Sequence, residues 1–299
     1  MRQVELIADY ACVTGENPLW HPMEQRLYWL DIPRGRIFRF DPATGKHQQC
    51  HEGGQVGGFT IQADRSLLLF GDRGAIRVWR EGIVRTIVEE IAEERGSRFN
   101  DVIADPAGRV FCGTMATGHG HSGSLYRLDL DGKLSRILGG VGCSNGMGFT
   151  PDYEGMYHTD SKLREVRLYS YDEQTGSLTN PRRFFRLPEG SLPDGMTVDS
   201  AGFVWSAIWG GGCVIRFSPE GREVERIELP AKLCASLTFG GPNLTDLYVT
   251  CAGGDDKLAN GPGAGGLYRV RGTGHQGVPE FLSRVGLARD GGADGIGRG

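Results

Sequence analysis

One pattern recurs six times along this chain of 299 residues: a polar residue, a short apolar run, an Asp-x-x-Gly turn and a second apolar run. Its clearest copy is Asp194-Gly195-Met196-Thr197-Val198-Asp199-Ser200-Ala201-Gly202-Phe203-Val204-Trp205. Other copies start at Glu16, Asn100 and Asn145, and weaker ones surround Phe59 and Ser236. The steps between first positions are 43, 41, 45, 49 and 42 residues. Asp and Gly form the turn because a short polar side chain and a missing Cβ tolerate tight backbone geometry. Periods of this length signal propeller blades, four-stranded units that cannot bury their faces alone and must stack in a ring. The expected fold is therefore all-β, a six-bladed β-propeller with four antiparallel strands per blade.

The copies follow one another without a linker, so residues 1–286 are expected to form one propeller domain. Residues 287–299 are Gly-rich, hold too few apolar side chains to pack, and are expected to form a mobile tail. Residues 4–10 read as a strand preceding the first blade's own set. In a closed ring such a strand pairs with the last blade and removes an exposed sheet edge. The later strands of blade one are expected at 26–31, 36–41 and 46–51, the outer turn of blade two at Trp79-Arg80-Glu81-Gly82, and a solvated connection at 87–96.

Charge and cysteine usage narrow the function classes. The net charge is −4 with no Lys-Arg block, which argues against nucleic acid or an anionic membrane as partner. No apolar run approaches the roughly 20 residues that span a bilayer, and residues 1–6 lack the apolar core of a secretion signal. The seven cysteines are an odd number without a CxxC pair, which fits free thiols in a reducing compartment. A cytoplasmic location is expected. No GxSxG, P-loop or HExxH pattern occurs, which removes serine-hydrolase, nucleotide and zinc-protease readings.

In a propeller blade the chain runs down the inner strand and climbs the second. The first residue of each copy and the loop between second and third strands therefore share one face of the ring. Loops on a rigid scaffold are where function sits. The six first positions are Glu16, Phe59, Asn100, Asn145, Asp194 and Ser236, and four of them carry Asp, Glu or Asn oxygens. Singly, each is an ordinary cap or turn residue. Crowded at one channel mouth, carboxylates and amide oxygens call for a positive charge among them. All-oxygen ligation suits one hard divalent cation such as calcium, magnesium or manganese, with zinc less expected.

At this point the chain resembles a known family, the gluconolactonase, regucalcin (senescence marker protein) and luciferin-regenerating-enzyme-like six-bladed propellers. The resemblance rests on Gly15-Glu16-Asn17-Pro18-Leu19-Trp20, Arg98-Phe99-Asn100-Asp101, Asp105-Pro106-Ala107-Gly108-Arg109, Gly113-Thr114-Met115, Ser144-Asn145-Gly146-Met147, Leu192-Pro193-Asp194-Gly195-Met196, Phe239-Gly240-Gly241 and Leu247-Tyr248-Val249-Thr250-Cys251. It implies one divalent metal, calcium above all, held by Glu16, Asn145 and Asp194. It implies substrate contacts from Arg98 and Asn100, with Asn100 also near the metal as in related phosphotriesterase propellers, and an acid-base role for Asp194. In one loop the chain departs from the family: His119 and His121 stand where animal members carry a substrate-contacting glutamate, and both are expected to be exposed loop residues.

The function expected is a divalent-metal-dependent lactonase opening a sugar-acid lactone such as gluconolactone, its partner a small molecule. The alternatives are an organophosphate or aryl-ester hydrolase on the same metal, and a metal-binding propeller without catalysis. Trp205 is expected to pack a blade, Trp209 to edge the mouth, and Asp160 to serve a structural hydrogen-bonding role near Asn145. The oligomeric state stays open.

Overall fold

The computed structural model describes residues 2–116 and 122–287. Among them the strands form six four-stranded antiparallel sheets arranged as propeller blades. The chain enters through β1 (Gln3–Asp9). Blade one is β2 (Gly15–His21), β3 (Arg26–Asp31), β4 (Arg36–Asp41) and β5 (Lys46–His51); blade two is β6 (Val56–Ile61), β7 (Leu67–Gly71), β8 (Ile76–Arg80) and β9 (Ile83–Val88). Blade three is β10 (Phe99–Ala104), β11 (Val110–Thr114), β12 (Gly123–Leu128) and β13 (Leu134–Val141); blade four is β14 (Ser144–Phe149), β15 (Gly155–Asp160), β16 (Glu165–Asp172) and β17 (Ser177–Arg186). Blade five is β18 (Leu192–Val198), β19 (Val204–Trp209), β20 (Cys213–Phe217) and β21 (Glu223–Glu228). Blade six takes β22 (Cys234–Gly240), β23 (Asp246–Cys251) and β24 (Gly266–Arg271) from one end of the chain and β1 from the other. This is the ring closure expected of residues 4–10, with Val4 opposite Val270 and Leu6 opposite Tyr268.

The reason for stacking is visible in the apolar side chains. The buried hydrophobic residues separate into clusters that sit between neighbouring blades rather than within them. Tyr28, Leu30 and Ile37 of blade one meet Phe59, Leu67 and Leu69 of blade two, and Trp205 and Val214 of blade five meet Leu237, Phe239 and Val249 of blade six. Each large side chain buried this way contributes about 1.5–3 kcal/mol that a lone blade would forfeit.

Every inner strand carries a register shift just after its start, at Glu16/Leu19, Val56/Gly58, Phe99/Val102, Asn145/Met147, Pro193/Met196 and Cys234/Ser236. A bulge bends its strand and re-aims the local side chain. Glu16, Asn100, Asn145 and Asp194 all lie at these irregularities, in blades one, three, four and five. Of the two others expected at equivalent positions, Ser236 lies at the far side of the shift in blade six and Phe59 lies beyond the shift in blade two. The shift in blade two falls at Gly57, two residues before Phe59, which is fully buried. Ser236 and Phe59 line a narrow cavity lower in the channel. Blade two thus presents a glycine where the pattern suggested a side chain.

The connection expected to be solvated at 87–96 is only partly so. It contains a 3-10 turn, Ala92–Glu94, whose Glu94 is fully buried and accepts from the Tyr126 hydroxyl at 2.9 Å. The end of the ring opposite the four polar residues is crossed by residues 272–286. This strap is tied to blade five through Ser200 N to the Gln276 carbonyl (2.8 Å) and to blade six through Gly277 N to the Leu244 carbonyl (2.8 Å). It continues to blade two through Ser283 N to the Ile61 carbonyl (2.9 Å) and to blade three through Arg284 N to the Gly108 carbonyl (2.8 Å). Glu280 and Phe281 of the strap line the channel. The expected tail lies, from residue 288 onward, outside the described residues, as do His119 and His121. Among the described residues no helix is long and apolar enough to cross a membrane.

Candidate active site

At the mouth of the channel, on the face away from the strap, a cleft of about 380 Å³ gathers Glu16, Arg98, Asn100, Asn145 and Asp194. All five residues singled out in the sequence are thus brought together, from four blades. Glycine makes the approach possible: a Cβ on Gly146 would lie 2.6 Å from the Asp194 carbonyl oxygen, so the inner strands of blades four and five close up at the site only because Asn145 is followed by glycine.

Glu16, Asn145 and Asp194 are each at least nine-tenths buried. Glu16 accepts from the Asn17 backbone N–H at 3.1 Å. Burial, reinforced by the Asp101 carboxylate, pushes Glu16 up to about 8. Burial first, and then the charges of Glu16 and Asp101, raise Asp194 well above the usual carboxylate range, while the Asn145 amide and the Arg98 guanidinium work in the opposite direction. The Asp194 Oδ1 atom is buried without a hydrogen-bond partner. An unpaired buried carboxylate oxygen next to a second buried carboxylate is costly in isolation. A divalent cation would remove that cost, and the donors present, two carboxylates and an amide, are the hard oxygens such an ion takes. Among the described residues no three His, Cys, Asp or Glu side chains form a metal cluster; the cup reaches three oxygen donors only through the amide of Asn145.

Arg98 and Asn100 form one unit. Arg98 Nη1 donates to the Phe99 carbonyl at 2.8 Å and to the Asn100 side-chain oxygen at 2.7 Å, and Asn100 Nδ2 donates to the Ser144 carbonyl at 2.9 Å. Burial pulls Arg98 below its ordinary value, yet a guanidinium stays charged in protein. It is the cation that faces the two acids.

The family model of the SMP-30/Gluconolactonase/LRE-like region matches residues 14–253. The chain belongs to this family. Pentonolactonase XacC of Haloferax volcanii is 48% identical over 292 residues, covering 95% of this chain and 99% of that protein. Among solved structures, a luciferin-regenerating enzyme superposes with a TM-score of 0.87 at 30% identity, covering 95% of this chain and all of that one. Regucalcin of Agrobacterium tumefaciens, described as a calcium-binding protein, superposes with a TM-score of 0.85 at 26% identity over 94% and 97% of the two chains.

Around the cup, this SMP-30/gluconolactonase-like protein carries residues that the repeat pattern does not mark. Thr14, Met115, Cys143, Ser161, Lys162, Leu192 and Trp209 complete the cleft wall. Trp209 edges the mouth as expected, and Trp205 is fully buried with Nε1 on Asp199 Oδ2 at 3.0 Å. Burial pushes the Cys143 thiol up to about 12, so it lines the cleft in neutral form. Asp160 accepts from the backbone N–H groups of Gly142 (2.9 Å), Cys143 (3.1 Å) and Lys162 (3.1 Å). It ties the loop entering β14 to the turn Ser161–Leu163, the structural role expected of it. Ser144 Oγ lies 2.8 Å from His158 Nε2, but both are buried outside the cleft and burial drops His158 to about 4. This pair packs blade four and lies outside the wall of the cleft.

Proposed function

We propose that this protein is a hydrolase that opens a sugar-acid lactone, an aldonolactone of the pentono- or gluconolactone type, using one divalent cation held by Glu16, Asn145 and Asp194. The observation that carries this reading is the pair of buried acids, Glu16 and Asp194, with Asp194 Oδ1 lacking any partner. The 48%-identical relative is named a pentonolactonase, matched across nearly its whole length, which favours a pentono- or hexono-lactone over an aryl ester or phosphotriester. Calcium is the ion we favour, given the oxygen-only donors and the calcium-binding description of the structural relative. The seven cysteines, all free thiols, support a reducing compartment and hence the cytoplasm.

When bound, the cation would polarise the ring carbonyl and neutralise the oxygen that becomes negative as water adds. The rest falls to the chain. Asp194 accepts the proton of the attacking water as general base, the cation keeping its carboxylate ionised for that task. Arg98, positioned by Asn100, supplies its remaining N–H donors to the sugar hydroxyls, where a planar fork gives directional hydrogen bonds. The strap closes the far end of the channel, so substrate enters and leaves by the mouth beside Trp209.

The test is a panel of aldonolactones assayed after chelation and after return of single metals. Loss of ring opening on chelation and its return with a divalent ion is the expected result. If no aldonolactone is hydrolysed with any metal, the assignment fails.

A further inference from the structure

An asparagine in a metal cup is ambiguous in a way a carboxylate is not. Its side chain ends in an oxygen that binds cations and a nitrogen that repels them, and the two are almost the same size. Something must hold the amide one way round. Asn145 Nδ2 lies 3.1 Å from Ser161 Oγ, and Ser161 Oγ lies 2.6 Å from the Pro193 carbonyl oxygen. A carbonyl only accepts, so the single hydroxyl proton of Ser161 is committed to Pro193. What Ser161 then offers Asn145 is a lone pair, and only the amide nitrogen can use it.

We infer that Ser161 is a positioning residue that fixes the Asn145 amide with one N–H on Ser161, the other on the side of Asp194, and its oxygen left for the cation. The inference rests on the metal cup proposed above. Three features support it. Ser161 is more than nine-tenths buried at the cleft wall, which limits competition from water. It stands at the head of the turn Ser161–Leu163, whose first backbone N–H groups are held by Asp160, so its place is set by the fold and not by a bound ion. And the carbonyl that orients it belongs to Pro193, the residue before Asp194, so one hydroxyl links a ligand of blade four to the strand that delivers the ligand of blade five. Groups behind metal ligands typically tune affinity by 10–100-fold.

The experiment is calcium binding by titration calorimetry to the full chain, in four forms: native, Ser161→Ala, Asn145→Asp, and the double variant. In the native background Ser161→Ala frees the amide to turn, and calcium should bind about tenfold or more weakly. A carboxylate presents an oxygen whichever way it rotates. In the Asn145→Asp background the same substitution should therefore cost less than about threefold. Equal losses in both backgrounds would show Ser161 acting only as packing, and an unchanged native affinity would show it doing nothing; either overturns the inference. A native protein that takes up neither calcium nor, in the same titration, magnesium, manganese or zinc overturns the cup and this assignment with it, and that outcome is read from the native titrations alone. Should Ser161→Ala fail to fold, Ser161→Cys, similar in shape but a poor acceptor, carries the same comparison.

Discussion

Both polar atoms of the Asn100 side chain are engaged by protein: its oxygen accepts from Arg98 at 2.7 Å and its nitrogen donates to the Ser144 carbonyl at 2.9 Å. Asn100 therefore braces Arg98 from blade three while gripping blade four. The resemblance implied a direct substrate contact; Asn100 lines the cleft, and its two bonds give it a bracing role besides. Asn100→Ala should raise KM for an aldonolactone by about tenfold, the worth of one charge-assisted hydrogen bond, with a smaller change in kcat. Arg98→Ala should raise KM more, and adding Asn100→Ala to it should cost little further. Steady-state kinetics at saturating metal checks this, and additive losses would show that Asn100 touches substrate independently.

Glu16 and Asp194 trade stability for function. Both are buried, Glu16 feels the Asp101 charge and Asp194 those of Glu16 and Asp101, so the metal-free protein carries two acids whose ionised forms are stabilised in the unfolded chain. Asp194→Asn removes one of them. The metal-free variant should melt above the metal-free native protein at pH 8, yet show no turnover. Adding cation at 100 times its dissociation constant stabilises the native fold by about 2.7 kcal/mol, a rise of roughly 5–10 °C for a chain of this size, and should leave the variant's Tm unmoved. Calorimetric melting with and without metal separates the two effects.

The same burial makes cation uptake a proton-releasing reaction. With Glu16 pushed up to about 8, the empty cup holds a proton at pH 7 that must leave before the carboxylate can coordinate. Affinity should fall as pH drops below 8, by up to about tenfold per unit while one proton is exchanged. Titrations at pH 7 in two buffers of different ionisation enthalpy should give a release of one proton or more, since Asp194 is raised as well. A release near zero would mean that Glu16 is already ionised or does not bind the ion.

Blade number and the cup are legible in the sequence for one reason. Each inner strand begins with a bulge at a fixed place in the repeat, and polar residues that recur there must converge on the channel. Glu16, Asn100, Asn145 and Asp194 are found this way. Blade two misleads because its equivalent position is Gly57, which offers no side chain, so the eye moves on to Phe59. Ser161 is hidden for a different reason: its importance comes from the turn after β15 folding back over Pro193 of the next blade, a contact between segments 32 residues apart. The strap at 272–286 repeats nothing, and neither its path nor the placing of Glu280 in the channel follows from periodicity.

Glu280 is the strap's own liability. It lies at the channel end of the segment, with Thr197 Oγ1 3.4 Å from its carboxylate, and burial together with the Asp101 charge raises it to about 7 while the Thr197 hydrogen bond pulls the other way. An acid whose folded pKa exceeds its unfolded value contributes full stability below the unfolded value and loses it as pH rises through the folded one. For Glu280 the loss falls between roughly pH 4.5 and 7, and it should amount to about 2 kcal/mol once partial solvation is allowed for. Glu280→Gln keeps the shape and removes the charge. The variant should match the native protein at about pH 4 and melt about 4–8 °C higher at pH 8, measured with the cup metal-free in both. Because Glu280 is at the far end of the channel from the cleft, kcat on an aldonolactone should stay within about twofold. A native protein whose stability does not fall across this pH range, or a variant no more stable than native at pH 8, would mean that the carboxylate reaches water and the strap leaves that end of the ring open.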